Sequence, residues 1–311
     1  MLRYTLQRLT SAVLVVLGVV VATFLMMHLE PGDPARAVLG LHASPRAIAT
    51  LDAQWGLNNS IPVQLWHFLD QLAHGNLGKS YIEGVSATSL IDARIGVTAA
   101  LVGMAALFAV LITIPLAALA AAHKDRVEDH AVRTMTSVGL GMPAFWFGIV
   151  LIEIFALHLH VFPVGGLSGG FFGDVESLVL PALTASFAIV PLLVRSLRVG
   201  MVEVLDAEFI AAARAKGLGG LRVLFFHAAR NALVPTVALL GLNIAYLIGT
   251  TVIVEQVFAL DGLGSLLLNS ILNNDFPMVQ AITLVFGASV VFVNLVADLV
   301  VARLDPRIAL R

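Results

Sequence analysis

Six long runs of uncharged, mostly apolar residues constrain this chain more than any other feature. Residues 9–27, 97–122 and 231–254 contain no Asp, Glu, Lys or Arg, and 178–194 is a shorter charge-free run. Residues 134–157 hold only Glu153, and 278–302 only Asp298. A bilayer's hydrocarbon core takes about 20 consecutive apolar residues per helical span, so the pattern predicts an all-α polytopic membrane protein with six transmembrane helices. Pro115, Pro143, Pro181, Pro191 and Pro235 lie in or at the ends of these runs, which membrane helices tolerate where neighbours re-satisfy the backbone.

Composition agrees. The chain is 59% hydrophobic and 12% charged, whereas soluble domains run about 45–50% apolar and about 25% charged. A net charge of −2 offers no basic surface for nucleic acid. The absence of cysteine excludes disulfide frameworks, zinc–cysteine sites, iron–sulfur clusters and thiol catalysis. Arg3 and Arg8 before the first run resemble the start of a signal peptide. The uncharged core is longer than the roughly 7–15 residues of such a peptide, and five more runs follow, so the first run is read as a retained span.

Lys and Arg set the orientation, because they accumulate in cytoplasmic loops. Fourteen of the 18 fall before span one, between spans two and three, between spans four and five, or after span six. The other four, Arg36, Arg46, Lys79 and Arg94, lie in the segment after span one. This asymmetry predicts both termini in the cytoplasm.

Two connecting stretches are long enough to carry function, and the chain divides accordingly into 1–29, an extracytoplasmic subdomain at 30–96 and a five-helix core at 97–311. The outward stretch has helix starts at Ser44-Pro45 and Ser60-Ile61-Pro62, and holds Trp55 and Trp66. It is neither low-complexity nor highly charged, so a folded subdomain is expected. The cytoplasmic loop 195–230 reads as two short helices. Asp206 is its N-cap candidate, Glu208 places negative charge in the first turn, Arg214 and Lys216 place positive charge in the last, and Gly217 is a C′ glycine. Leu205, Phe209, Ala212 and Lys216 share one face, beside the small Ala211 and Ala213. Beyond Gly217-Leu218-Gly219-Gly220, helical spacing aligns Leu221, Leu224, Phe225 and Ala228. On pattern alone, this segment is either a docking helix for a partner or a loop that covers the base of the bundle.

The stretch Glu208-Phe209-Ile210-Ala211-Ala212-Ala213-Arg214-Ala215-Lys216-Gly217-Leu218, followed by His227-Ala228-Ala229-Arg230-Asn231-Ala232-Leu233-Val234-Pro235, resembles the EAA loop of bacterial ABC importer permeases of the dipeptide/oligopeptide class. Further motifs of that family follow in order: Pro31-Gly32-Asp33-Pro34, Trp55-Gly56-Leu57, Pro62-Val63-Gln64, Gly75-Asn76-Leu77-Gly78-Lys79-Ser80-Tyr81, Glu255-Gln256-Val257-Phe258, Gly262-Leu263-Gly264, Asp275-Phe276-Pro277 and Asp305-Pro306-Arg307. Two positions depart from the family pattern. Asn76 stands where Asp is frequent, and Ser60 where proline is more usual.

The resemblance implies a multi-pass permease subunit of a bacterial inner membrane. It would pair with a homologous second permease and stand on two cytoplasmic ATPase subunits that carry the ATP and Mg. A binding protein outside would deliver di- or oligopeptides, and membrane lipid would surround the bundle. The chain itself would hold no cofactor and would not be an enzyme. Phe209, Ala212, Ala213 and Gly217 would form the ATPase-docking surface, with Arg214 and Lys216 making electrostatic contacts and Asp206 and Glu208 opening the helix. Nickel, haem or glutathione are alternative cargoes of similar importers.

Other motifs point elsewhere and stop short. Ala73-His74-Gly75-Asn76-Leu77-Gly78-Lys79-Ser80 lacks the first glycine of a phosphate loop and follows no strand-like run. Gly166-Leu167-Ser168-Gly169-Gly170 has a serine-nucleophile spelling, but no histidine follows His227 to serve as base from spans five and six. His158-Leu159-His160 supplies at most two metal ligands. Glu153 and Asp298 are ionisable groups inside spans, where charge is costly and often functional. Asp298 lies near the cytoplasmic end, one turn after Asn294, and reads as a structural polar contact. Glu153 is a candidate for the translocation path, meeting a peptide's amino terminus. An ion-coupled carrier is the alternative of another class. It would use such carboxylates and would need no docking helix.

Overall fold

The computed structural model describes residues 2–29, 34–40 and 43–304. Pro31, Gly32, Asp33, Asp305-Pro306-Arg307, Arg311 and the side chains of Arg3, Arg8 and Arg214 lie outside the described residues. The described residues are helical almost throughout. In chain order the helices are α1 (Leu2–Leu29), α2 (Pro34–Leu39), α3 (Pro45–Trp55), α4 (Ile61–Ala73), α5 (Ala87–Ala122), α6 (Val127–Gly141), α7 (Ala144–Leu151), α8 (Phe171–Phe187), α9 (Val190–Leu205), α10 (Glu208–Ala215), α11 (Gly220–Arg222), α12 (Arg230–Val257), α13 (Leu263–Leu272) and α14 (Phe276–Leu304). Wider π-helical turns continue α7 over Ile152–His158 and α11 over Val223–Ala229.

Among the described residues three helical stretches are long and apolar enough to cross a bilayer: Ala87–Ala122, Pro235–Val257 and Phe276–Val301. Two further pairs qualify if each is one broken span, Val127–Gly141 with Ala144–His158, bent by 107°, and Phe171–Phe187 with Val190–Leu205, bent by 59°. The third and fourth apolar runs of the sequence are therefore not straight helices. Each break precedes a proline, Pro143 or Pro191. A proline lacks the N–H that would continue the preceding helix, and Met142, before Pro143, is pushed into extended backbone at φ −94°, ψ 130°. Pro115, Pro181 and Pro235 lie inside continuous helices.

The chain divides into two compact units, one of residues 2–97 and 261–291 and one of 98–260 and 292 onward. In the first, Ser44 caps α3 by accepting the Ala47 N–H at 3.2 Å, and Pro45 takes the first helical position. Gly56, at φ +72°, ends that helix, and the Leu57 N–H returns to the Asp52 carbonyl. Ser60 makes no side-chain cap for α4. Gln64 instead reaches back to the Asn59 and Leu57 carbonyls at 2.8 and 3.1 Å. Both helix starts read from the sequence are present. The apolar core of this unit joins Ala87 and Ile91 to Leu263, Leu266, Met278, Ala281 and Ile282.

In the second unit, Leu193, Leu197 and Met201 of α9 are fully buried, and α9 packs on α6 and α12. Small residues bring the helices close, as membrane packing favours. A Cβ built on Gly200 would sit 3.1 Å from Ala232, and one on Gly241 would sit 2.2 Å from the Ala297 Cβ. Phe147 stacks on Phe187 at 4.1 Å.

Candidate functional site

The segment after α9 is built around a short helix, α10. α9 ends at Leu205, and Asp206 is its helical C-cap (φ −85°, ψ −4°) rather than the N-cap of the next helix. The Asp206 carboxylate is engaged instead with Lys124, whose Nζ donates at 2.9 Å. This bond raises the Lys124 ammonium above its usual pKa. α10 then begins at Glu208 and closes as the sequence predicts. Gly217 adopts φ +83°, and the Leu218 N–H bonds the Ala213 carbonyl at 3.3 Å. This is the six-to-one bond of a glycine C-cap.

One face of α10 is anchored and the other is open. Ile210 is buried at 1% exposure, while Phe209 is 51% exposed. Glu208, Ala212, Lys216 and Gly217 are also exposed, and Ala213 is half-buried. α10 lies beside the π-helical turn at 223–229. That turn alters the second expected stripe, because π winding brings residues five apart into register. Val223, Leu224, Ala228 and Ala229 are buried, whereas Leu221 is 74% and Phe225 42% exposed.

The ion pair that holds the middle of α9 was not legible in the sequence. Arg198 grips Asp129 of α6 through both carboxylate oxygens at 2.5 Å, and the Asp125 N–H adds a third bond at 3.0 Å. The Asp129 side chain is fully buried, so only such complete pairing makes its charge tolerable. In sequence, Arg198 and Lys124 read only as cytoplasmic charges; their partners stand 69 and 82 residues away.

The other flagged residues are not brought to this segment. Glu153, on the π-helical turn after α7, is exposed and 3.4 Å from the His158 Nδ1. His160 lies at φ +53° with its Nδ1 3.2 Å from the His158 carbonyl. Among the described residues no three His, Asp or Glu side chains converge as a metal site. Asp298 and Asn294 are half-buried on α14. The Ser168 hydroxyl faces the Ser177 hydroxyl at 2.9 Å, and Gly169 and Gly170 take positive φ in a turn.

The near phosphate loop has another role. Lys79 pairs with Ser86 in an isolated bridge, and the Gly78 N–H bonds the Asn76 side chain at 3.0 Å. Buried Asp275 accepts both the Ser80 hydroxyl and the Tyr81 N–H, the latter at 3.0 Å. Tyr81 stacks on Trp55 at 3.7 Å, in the wall of a cleft of about 890 Å³ that Gln64, His67 and Gln280 also line. Burial first, and the Asp275 charge second, push the Tyr81 hydroxyl up to about 12. Two motifs nearly 200 residues apart thus form one clasp.

The sequence that builds this geometry is similar to known proteins. The family described as binding-protein-dependent transport system inner membrane component matches residues 113–310, and the N-terminal membrane-component family of the same systems matches 1–102. The chain belongs to this permease family. The probable D,D-dipeptide transport system permease of Escherichia coli (strain K12) is 37% identical, with 97% of this chain and 96% of that protein covered. The oligopeptide transport system permease of Bacillus subtilis (strain 168) and the glutathione transport system permease of Salmonella typhimurium are each 34% identical, with 99% of both chains covered. The chain is thus an ABC importer permease and a multi-pass membrane protein. Residues 195–230 lie within the matched inner-membrane component.

Proposed function

We propose that this permease carries di- or oligopeptides delivered by an extracytoplasmic binding protein, forming the path with a homologous second permease. In this reading α1, the three long helices and the two bent pairs make six spans. Both termini and the 195–230 segment are cytoplasmic, and the 30–96 subdomain faces outward in a bacterial inner membrane. ATP and Mg belong to two partner ATPase subunits.

The observation that carries the reading is α10, a capped helix anchored by Ile210 with Phe209, Ala212 and Lys216 open to a partner. Glu208, Phe209, Ala212, Ala213, Arg214, Lys216 and Gly217 form the ATPase-docking surface, while Asp206 holds the start of the segment through Lys124. ATP-driven closure moves this lever only if the ATPase pair binds it differently in its two states. Glu153 lines the path and meets the peptide's amino terminus. The peptide class is supported by relatives named for dipeptide and oligopeptide transport. Relatives named for glutathione transport favour glutathione, itself a small peptide, as the second reading.

The test is co-purification of the tagged chain with its ATPase subunits, followed by ATP hydrolysis in lipid with binding protein loaded with dipeptide or with glutathione. Stimulation by one loaded form supports the importer and chooses the cargo. Phe209→Ala should weaken ATPase association at least about tenfold, as loss of a central aromatic anchor does. Substrate movement by the isolated chain on an ion gradient would overturn the proposal in favour of a carrier.

A further inference from the structure

Two ion pairs tie the corner between α5 and α6 to the segment that leads into α10. The first is exposed: Lys124 to Asp206, the residue that ends α9 just before α10 begins. The second is enclosed: Asp129, near the start of α6, to Arg198 in mid-α9. The corner is itself tied by hydrogen bonds. Asp125 adopts φ +60°, its N–H bonds Asp129, and the Arg126 N–H returns to the His123 carbonyl at 2.9 Å.

The spacing of the attachments matters more than either contact alone. Arg198 and Asp206 are eight residues apart, about 12 Å along a helix at 1.5 Å per residue. One contact is a pivot around which α9 can turn. Two contacts separated along a stiff helix fix both position and direction.

We propose that Lys124, Asp129, Arg198 and Asp206 are positioning residues for transport, a two-point strut that makes the 123–129 corner move as one body with the coupling segment. The inference rests on α10 docking an ATPase. A push on α10 reaches the corner directly through Asp206 and Lys124, and along α9 through Arg198 and Asp129. Exposed ion pairs add little to folding stability, so a strong effect of Lys124 on coupling and none on thermal unfolding would be the signature of transmission.

The experiment uses the complete importer in liposomes and reads ATPase association, stimulated ATP hydrolysis and substrate uptake. Lys124→Glu should leave association and unfolding temperature unchanged and lower uptake per ATP by about fivefold, the low end of allosteric coupling. Asp206→Lys in the same chain should restore it. A second variant tests motion as one body. The chain has no native cysteine, so Lys124→Cys with Asp206→Cys can be bridged by a bifunctional maleimide as long as the original ion pair. The unbridged form should couple poorly and the bridged form should recover.

Wild-type uptake per ATP in Lys124→Glu, no recovery on charge exchange, or further loss on bridging would each overturn the strut. Loss of ATPase association by Lys124→Glu would also overturn it, since the pair would then belong to the docking surface. Phe209→Ala measured alongside separates the two ideas. If that variant binds ATPase as the wild type does, the docking reading falls and the strut falls with it.

Discussion

Replacing Gly241 with alanine tests the packing of α12 against α14 with one methyl group. The added Cβ would lie 2.2 Å from the Ala297 Cβ, whereas carbon atoms rest at about 3.5–4.0 Å. The helices must part by about 1.5 Å or slide, and overpacking of this size costs about 1–3 kcal/mol. The compensating change is equally specific. With Ala297→Gly in the same chain, the atom next nearest the new Cβ is the Ala297 Cα at 3.7 Å, an ordinary contact. The double variant should return close to wild-type stability, because the roughly 1 kcal/mol that glycine costs within a helix is added at 297 and removed at 241. Thermal unfolding of the purified chain in detergent measures all four forms of the cycle. A Gly241→Ala variant as stable as the wild type would refute the close approach, and so would a double variant no better than the single one.

Asp129→Ala should destabilise the chain by about 3–5 kcal/mol, because it leaves the Arg198 guanidinium enclosed without its partner; Asp129→Leu combined with Arg198→Met should unfold near the wild-type temperature. Tyr81 should hold its proton until about pH 12, as read by ultraviolet titration. Because the folded chain binds that proton more tightly than the unfolded one, its contribution to stability is complete below pH 10 and is lost as pH rises from 10 to about 12. Asp275→Asn should lower the Tyr81 value while leaving it above 10, since burial is the larger cause. Glu153→Gln should reduce uptake of peptides with a free amino terminus and spare those with a blocked one; equal uptake of both by the variant and the wild type would remove Glu153 from the path.

The helical class and the glycine-capped end of α10 were legible because both depend on local rules. Span length follows from the thickness of a bilayer, and the Gly217 cap follows from the freedom of glycine to take positive φ. Asp206 shows where local rules compete. It suits the cap of a following helix as well as the end of a preceding one, and Lys124, 82 residues distant, holds it at the end of α9. The second stripe of the loop departs from its expected spacing for a related reason. Helical spacing assumes regular winding, and the π-helical turn at 223–229 exchanges Leu221 and Phe225 for Val223 and Ala229 on the buried side.

What the sequence by itself determined is the solvent this chain folds in, its helical class, its family and the glycine that closes α10. These are written in residue type and short-range spacing, which act through the bilayer and the backbone alone. Tertiary structure decided which charges pair, where proline breaks a span, and which glycines are squeezed. Asp129 with Arg198, Ser80 with Asp275 and Gly241 with Ala297 are each set by the approach of distant helices. In so apolar a chain nearly every helix face is alike in composition, so periodicity carries no record of which neighbour it meets.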